Sequence, residues 1–460
     1  MNRVHLPQVQ HQSKQLKSNQ WMALHLVVLS ILGATLSSCG TTATPIESDS
    51  SVTTDTTRVT PSRYDKILTV SIVATDLRSS VEKLYGGKVT TWHPESGFAT
   101  LGLSTTVASA LKPSSKIIAL ETNKNAIRPA ETAVTAKSLG ASTWSSGWST
   151  WGSGWSTWSS GTGSSLTPTE NQPIWSKIRL PQARALATNA GMGIKIAVID
   201  TGIDLQHSAF QNRLVASSDM YDWIDGDQTP QEVAGGTNEG YGHGTSVAGI
   251  ALQVAENAKI MPLRVLDSSG YGDVSNVAAA IDWAVAHGAQ IINLSLGADY
   301  LKSLDQTISS ATSKGVFVIA ASGNTNDTNV TFPASVAEGA TPTAGMRIGV
   351  GSVGLTDVKS VFSTYGTNLE MVAIGEQVYG PAPGNQLAAW SGTSMATPMV
   401  SGGLALALGQ RSYGAATKNL GVDVVNTADN VDALNSVLIP GVLGSGRLNL
   451  ERFIQKALMY

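Results

Sequence analysis

The chain contains little cysteine and little charge. Only one of its 460 residues is a cysteine, Cys39, which excludes an internal disulfide framework and a zinc site built from several thiolates. Charged residues make up 14% of the chain, well below the roughly 25% of an average soluble protein. The net charge of −3 gives no basic surface field for a phosphate backbone, so nucleic-acid binding is not expected. With 42% hydrophobic residues, the chain can bury a large core.

Signature motifs of several hydrolase classes are also missing. The chain has no His-Glu-x-x-His, and its histidines show no metal-binding spacing, which argues against a zinc protease. It has no Gly-x-Ser-x-Gly, the commonest motif of α/β-hydrolases. Asp-Thr-Gly occurs once, at Asp200, whereas an aspartic protease needs two carboxylates that share a proton. The chemistry must therefore be inferred from the motifs that are present.

The first 38 residues form a predicted export signal. Basic residues precede an apolar run of 15 residues, Met22–Leu36, which is shorter than the ~20 residues that a membrane-spanning helix requires. A basic segment followed by a short apolar one is typical of a secretory signal peptide. The run ends in Leu-Ser-Ser-Cys-Gly, which resembles the lipobox of bacterial lipoproteins and implies acylation of Cys39. The alternative is an ordinary signal peptide with an incidental thiol.

Two low-complexity segments follow the signal. Residues 39–60 are rich in Ser and Thr and are predicted to form a flexible tether. Residues 142–173 begin with three seven-residue Trp/Gly/Ser units, over 142–162, which hold five of the 11 Trp. This composition favours a linker. The alternative is an aromatic strip that stacks on sugars or lies at a membrane interface.

A small α/β module is predicted between these two segments, over residues 61–141. Its apolar runs predict strands at Lys66–Val73, Phe98–Leu103 and Lys116–Leu120, and a helix at Asp76–Leu84. A module of this size is near the lower limit for independent stability. Because it lies directly before a larger domain, we interpret it as a pro-domain.

The rest of the chain, residues 174–460, alternates short apolar runs with helical stretches. One predicted helix is Ser275–His287, with Ser275 as its cap. Unbroken apolar strands between helices predict a mostly parallel sheet with helices on both faces. Reactive groups in such sheets lie beyond the carboxyl ends of the strands. The predicted strands are Ile194–Asp200, Lys259–Asp267, Ile291–Leu296, Val316–Ser322, Ile348–Val353 and Met371–Ile374.

Three residues with complementary chemistry lie in this region. Asp200 ends the first strand, His243 begins an apolar helical stretch, and Ser394 precedes another, Met399–Leu408. A serine hydroxyl becomes nucleophilic when a histidine takes its proton, and a buried carboxylate then orients and stabilises the imidazolium. A helix that begins near the serine adds N–H groups where an oxyanion develops. Taken alone, Asp200 could form a turn, His243 could be a core histidine and Ser394 could cap a helix. Three independent structural roles at these positions explain the pattern less well than one catalytic group does.

The surrounding motifs resemble the signature blocks of the subtilisin-like serine proteases. Asp200 lies in AVIDTGID, His243 in GHGTSVAGI and Ser394 in SGTSMATPMVSGG, in the chain order of that family. The resemblance covers about residues 174–460. It implies an Asp-His-Ser triad, an oxyanion-binding amide at Asn324 and two edges that pair with substrate backbone. The residues of these edges are Ser295, Leu296, Gly297, Gly270, Tyr271 and Gly272.

Three positions depart from the family pattern. Ser246 stands where many relatives have a second histidine, Ile374 where Ala-Pro-Gly is common, and Met399 where a histidine often follows the proline. None of the three is expected to take part in the reaction, so they concern specificity and packing.

An acidic loop is a candidate for calcium binding. Asp222, Asp225 and Asp227 are spaced so that their carboxylates could wrap Ca²⁺, which takes six to eight oxygen ligands, and the family often binds structural calcium. The loop does not match an EF-hand pattern. A solvated acidic loop is therefore the favoured alternative.

The sequence thus predicts an exported serine endopeptidase that requires no cofactor, with calcium at most as a structural ion. Polypeptides are the expected substrates, a monomer is the expected state, and a lipid on Cys39 is the expected membrane contact. The pro-domain of relatives is cut away, so self-cleavage near residues 140–175 would release the peptidase from an envelope lipoprotein into the extracellular space. Without a cut, the enzyme would work tethered to the envelope. The competing hypothesis is a catalytically silent envelope protein that binds through its Trp-rich repeat.

Overall fold

The structure is a computed structural model that describes residues 64–127, 166, 168–235, 240–335, 345–410 and 419–459. The predicted signal peptide, Cys39, the predicted tether and the Trp units of residues 142–162 lie outside the described residues. Within the described ranges, no helix combines the length and the apolar character needed to cross a membrane.

The module is a four-stranded sheet with two helices: β1 (Lys66–Ser71), α1 (Arg78–Tyr85), β2 (Lys88–His93), β3 (Phe98–Leu103), α2 (Thr105–Ser109) and β4 (Ile117–Thr122). The strands are antiparallel, in the order β2-β3-β1-β4. Leu68 and Leu101 pack with Val81 of α1 in one apolar cluster, while the neighbouring Thr69 and Thr100 are also buried. Because both faces of the sheet are covered, its central strands lack the alternation of a half-exposed sheet.

The other described residues, 166 and 168–459, form a larger unit that we call the main body. Its helices are α3 (Gln172–Lys177), α4 (Leu180–Leu186), α5 (His243–Val254), α6 (Val274–Ala286), α7 (Lys302–Ser313), α8 (Thr393–Gly409), α9 (Asn419–Asn426) and α10 (Leu450–Ala457). Its strands are β6 (Lys195–Asp200), β7 (Tyr221–Asp222), β8 (Lys259–Arg264), β9 (Tyr271–Asp273), β10 (Ile291–Leu294), β11 (Phe317–Ala321), β12 (Arg347–Val353), β13 (Met371–Ile374), β14 (Val378–Ala382) and β15 (Gln386–Trp390). A fifth, short strand of the module, β5 (Asn125–Ile127), lies outside its sheet and pairs with β9.

Seven parallel strands form the centre of the main body, in the order β13-β12-β11-β10-β6-β8-β7. Successive residues of β6 enter opposite cores: Ile196 and Val198 pack in the cluster that contains α5 and α8, whereas Ala197 and Ile199 pack in the cluster that contains α6 and α7. Each strand is therefore apolar at almost every position because helices cover both faces. The predicted α/β fold class is confirmed.

The strand order places a crevice at the carboxyl end of β6. The chain adds β7 and β8 on one side of β6 and then continues with β10 on the other side. Parallel sheets bind ligands at such reversals of strand order, beyond the carboxyl ends. Asp200 is the last residue of β6, so its carboxylate lies at this position.

The sequence predictions differ from the structure at element boundaries and in six strands that were not predicted: β2, β5, β7, β9, β14 and β15. The strand β2 carries no apolar run because its sequence KVTTWH is largely polar, although Thr91 and His93 are buried. Helix α6 begins one residue earlier than predicted, with Asp273 and not Ser275 at the cap position. Helix α8 begins at Thr393, so Ser394 lies inside its first turn and not before the helix. The predicted start of the larger domain at 174 also falls inside α3.

Candidate active site

Asp200 and His243 form a buried acid–base pair. Their side chains are 1% and 0% exposed, and Asp200 Oδ1 lies 2.7 Å from His243 Nδ1. The same carboxylate oxygen accepts the backbone N–H of Thr201 at 2.8 Å. An ionised carboxylate only accepts hydrogen bonds, so Nδ1 carries the proton and Nε2 is the basic nitrogen of the ring. This geometry suits a histidine that takes up a proton at Nε2.

Close backbone packing brings the two residues together. His243 is the first residue of α5, and the next residue, Gly244, lies against the end of β6. A Cβ at Gly244 would clash with the carbonyl oxygen of Gly202, so only glycine allows this approach. Behind the histidine, the fully buried Trp390 contacts its ring edge-to-face, with 6.1 Å between ring centroids. The imidazole is therefore fixed by packing as well as by its hydrogen bond.

Ser394 is held at the start of α8 by a chain of buried side chains. Pro398 has no N–H, so it cannot satisfy the Ser394 carbonyl one turn earlier. Ser295 Oγ donates to that carbonyl at 2.9 Å and accepts from Asn293 Nδ2 at 3.0 Å. Asn293 Oδ1 in turn accepts from Ser401 Oγ at 2.8 Å. The helix is thereby tied to β10 at the position of the serine.

Asn324 lies beside the same helix turn. Its Oδ1 accepts two hydrogen bonds of 2.9 Å, from the backbone N–H and the hydroxyl of Thr393. Because the amide oxygen is fixed by these donors, the amide nitrogen is turned away from Thr393. Asn324 follows β11, and Ser394 Oγ donates to the Ser295 carbonyl at 3.4 Å. The amide of Asn324 and the hydroxyl of Ser394 therefore lie at the same edge of the sheet.

The two predicted substrate edges lie near the module. Tyr271, Gly272 and the following residue form β9, which pairs with β5 in antiparallel register. The opposite edge, at Gly297, borders a cavity of about 520 Å³ whose lining residues are Thr122, Asn123, Lys124, Gly297, Ala298, Asp299 and Thr331. The last described residues of the module therefore occupy one edge and face the other. Gly270 precedes β9, and Leu296 is buried beside Ser295.

The acidic loop carries its own counter-charge. Arg264 Nη1 lies 2.8 Å from Asp222 Oδ2 and 2.7 Å from Asp225 Oδ2. Asp227 Oδ1 accepts the backbone N–H of Thr229. Over the part of the chain that the structure describes, no three His, Cys, Asp or Glu side chains converge as a metal site. In this arrangement the three aspartates do not fit a calcium cluster, because a guanidinium stands between two of them.

The three departures from the family pattern are all buried. Ser246 lies on α5, Ile374 ends β13 and Met399 lies on α8, and none of their side chains is exposed. Their burial agrees with an effect on packing.

Sequence reasoning missed Glu232, a buried carboxylate beside the acid–base pair. It is 3% exposed, and loss of solvent raises its pKa to about 7. Its Oε1 accepts from Thr201 Oγ1 at 2.5 Å and from the Gly242 N–H at 2.6 Å. Glu232 lies in an irregular loop whose sequence carries no motif, so no local signal identifies it.

Comparisons with known proteins agree with these motifs. A model of the Subtilase family matches residues 191–441. The chain is 36% identical to thermitase from Thermoactinomyces vulgaris over 305 residues, which are 62% of this chain and 99% of that protein. Subtilisin Savinase from Lederbergia lenta is 34% identical over 286 residues, 60% of this chain and 96% of that protein. A crystal structure of a cold adapted subtilisin-like serine proteinase shares 32% identity, with a TM-score of 0.45, and covers 52% of this chain and 83% of that chain.

Proposed function

The chain belongs to the subtilase family and is a subtilisin-like serine endopeptidase, and we propose that it cleaves polypeptides through an acyl-enzyme formed on Ser394. In this proposal Asp200 orients the base, His243 transfers the proton and Asn324 binds the oxyanion. The observation that carries the proposal is the 2.7 Å contact between Asp200 and His243 at the carboxyl edge of the sheet. The same edge holds the first turn of α8 and Asn324.

The proposed reaction proceeds in two halves. His243 Nε2 takes the proton of Ser394 Oγ while that oxygen attacks the scissile carbonyl carbon, and the carbonyl oxygen becomes an oxyanion. The amide nitrogen of Asn324 and the backbone N–H of Ser394, in the first turn of α8, donate to this oxyanion. Collapse of the intermediate breaks the C–N bond, and His243 returns the proton to the leaving amine. Water then attacks the acyl carbonyl carbon with His243 as base, the bond to Ser394 Oγ breaks and His243 returns the proton to that oxygen, so the chain supplies every catalytic group.

We further propose that the module is a pro-domain that blocks the cleft until self-cleavage. It is bound where substrate backbone is expected, because β5 adds a strand to the β9 edge. Glu121 accepts the backbone N–H groups of Lys302 at 2.8 Å and Ser303 at 3.0 Å, at the start of α7. A carboxylate is favourable at a helix N-terminus, since the first N–H groups have no partner within the helix. We place the cleavage site C-terminal to Ile127.

Export and anchoring complete the proposal. The basic segment, the apolar run and the cysteine of the N-terminal region are the features of a lipoprotein signal. If Cys39 carries the lipid, cleavage beyond Ile127 separates the anchor from the main body. The active peptidase would then leave the envelope while the module stays behind. Family membership does not favour the competing hypothesis of a silent binding protein.

Intact masses test the proposal directly. The full chain and its Ser394→Ala variant are exported from a bacterium and compared, with Ser391→Ala as a matched serine control. We expect a fragment that begins beyond Ile127 in the wild type and in Ser391→Ala, and only uncleaved chain in Ser394→Ala. A fluorophosphonate probe should label the wild type and the control alone. Equal processing or labelling of Ser394→Ala would contradict the assignment of the nucleophile.

The lipid anchor needs a separate variant. Cys39→Ala is expected to lose both the acyl mass and the membrane association of the uncleaved chain. Its peptidase activity should persist because the lipid has no part in the reaction. An acylated, full-length active enzyme would instead contradict release.

A further inference from the structure

Glu232 connects the two segments that carry the acid and the base. One oxygen, Oε1, accepts from Thr201 Oγ1 at 2.5 Å and from Gly242 N–H at 2.6 Å. The other, Oε2, accepts from the hydroxyl of Thr245 and, at 3.3 Å, from its N–H. Thr201 directly follows Asp200, whereas Gly242 and Thr245 lie on either side of His243. One carboxylate therefore holds the end of β6 and the first turn of α5 together.

The threonines extend this network further. Thr201 Oγ1 also accepts the N–H of Gly244 at 2.9 Å, and Thr245 Oγ1 accepts the N–H of Asp204 at 2.8 Å. Both hydroxyls donate to Glu232, so each has a defined donor and acceptor role. The three side chains are buried, and water cannot replace a lost bond cheaply in such surroundings. The network fixes the backbone after Asp200 and on both sides of His243.

Resting on the proposed function, we propose that Glu232 is a positioning residue: its carboxylate clamps the end of β6 to the start of α5 and thereby sets the geometry of the Asp200–His243 pair. It touches neither substrate nor the reacting atoms. It acts through the pair, because each of its hydrogen-bond donors lies within two residues of Asp200 or His243.

The clamp also adds negative charge beside the histidine as Glu232 ionises, since burial raises its pKa to about 7. A second carboxylate near Asp200 favours the imidazolium that forms when Ser394 loses its proton. The charge of Asp200 in turn disfavours ionisation of Glu232, in the same direction as burial. Other charged or titratable groups around the network are Asp204 after β6, Tyr241 before α5 and Arg264 at the end of β8, whose side chain packs near Gly202.

The decisive variant is Glu232→Gln, which keeps the shape but removes the charge and one acceptor oxygen. We expect kcat on a small peptide substrate to fall about 10²-fold, the scale of a misplaced catalytic group, with KM changed less than about threefold. The acid limb of kcat/KM should move to lower pH, because loss of a nearby negative charge lowers the pKa of the imidazolium. Glu370→Gln is the matched control, since Glu370 also has a pKa raised to about 7 and bonds Gly349 on β12, away from the pair.

A double-mutant cycle separates positioning from general stabilisation. If Glu232 works through the pair, Glu232→Gln should cost less than about threefold in kcat once Asp200→Asn is already present. Three results would overturn the proposal. They are an equal loss of kcat from Glu232→Gln in the wild-type and Asp200→Asn backgrounds, an effect on KM alone, and an acid limb of kcat/KM at the same pH as in the wild type. Should Glu232→Gln fail to fold, Thr201→Val removes one arm of the clamp and must lower kcat in the same direction.

The cycle also distinguishes this proposal from the proposed function. If Asp200→Asn and Ser394→Ala leave the activity unchanged, the assigned reaction is wrong. If both lower it strongly, with measurable activity left in Asp200→Asn, and Glu232→Gln behaves like Glu370→Gln, only the positioning role is wrong.

Discussion

Two groups of polar contacts in this molecule differ in how deeply they are buried. Asp200, His243, Ser394 and Asn324 are at most 1% exposed, inside a single packed body. The contacts between the module and the main body include exposed ion pairs: Lys314 and Glu95 are 38% and 46% exposed at 2.5 Å, and Lys124 and Asp299 are 40% and 77% exposed. The first group cannot separate without unfolding, whereas water can replace the exposed ion pairs of the second.

This difference matches the proposed roles of the two regions. Buried groups hold one geometry because leaving any of them unpaired is costly. Exposed ion pairs contribute about 0–1 kcal/mol each and are weakened by salt. The module can therefore be held in place by many weak contacts and still leave after one cleavage. A catalytic centre needs side chains in one fixed geometry, whereas an inhibitory segment needs contacts that can dissociate.

The largest of the remaining predicted effects concerns Asn324, in the buried group. Asn324→Leu keeps the volume but removes the amide, and we expect kcat to fall by about 10²–10³ with little change in KM, as for loss of one oxyanion donor. Thr393→Val is the comparison, because it removes one of the two donors to Asn324 Oδ1 and leaves the backbone donor. Its loss should be clearly smaller. Equal losses would mean that Asn324 acts only by fixing the helix.

Sequence reasoning located the strand-end Asp200, the helix-start His243 and Ser394 because each lies in a local motif. It could not locate Glu232, whose relation to the pair depends on a loop that returns to the end of β6. It also missed the side-chain role of Ser295, which follows from the missing N–H of Pro398 one helix turn away from Ser394. Tertiary contacts, not local spacing, define these supporting residues.

The next prediction tests the cost of burying carboxylates in the main body. Burial raises the pKa of Glu370 from 4.5 to about 7. The unfolded chain ionises first as pH rises, so the folded state loses stability between about pH 4.5 and 7, by up to about 3 kcal/mol. Glu370→Gln should abolish that part of the decline. Denaturant unfolding at pH 5 and pH 8 in the Ser394→Ala background, where self-digestion is absent, measures it.

Parallel pH curves for Glu370→Gln and its parent would contradict the expected burial cost. Glu232→Gln should flatten the decline in a similar way, since its pKa is also raised to about 7. The variants Glu232→Gln and Glu370→Gln should therefore change the pH dependence of stability alike, whereas only Glu232→Gln should lower kcat. That contrast separates the stability cost of burying the Glu232 carboxylate from its proposed role in positioning the Asp200–His243 pair.

The smallest effect is expected at the interface between the module and the main body. Lys314→Ala removes an exposed ion pair and should weaken inhibition by the cleaved module less than about fivefold. Glu121→Gln removes a charge that accepts two backbone N–H groups of α7 and should weaken it about tenfold. Recovery of activity on dilution of the self-processed enzyme measures both. If Lys314→Ala had the larger effect, charge attraction and not the helix-terminal bonds would hold the module, and the interface would dissociate with salt alone.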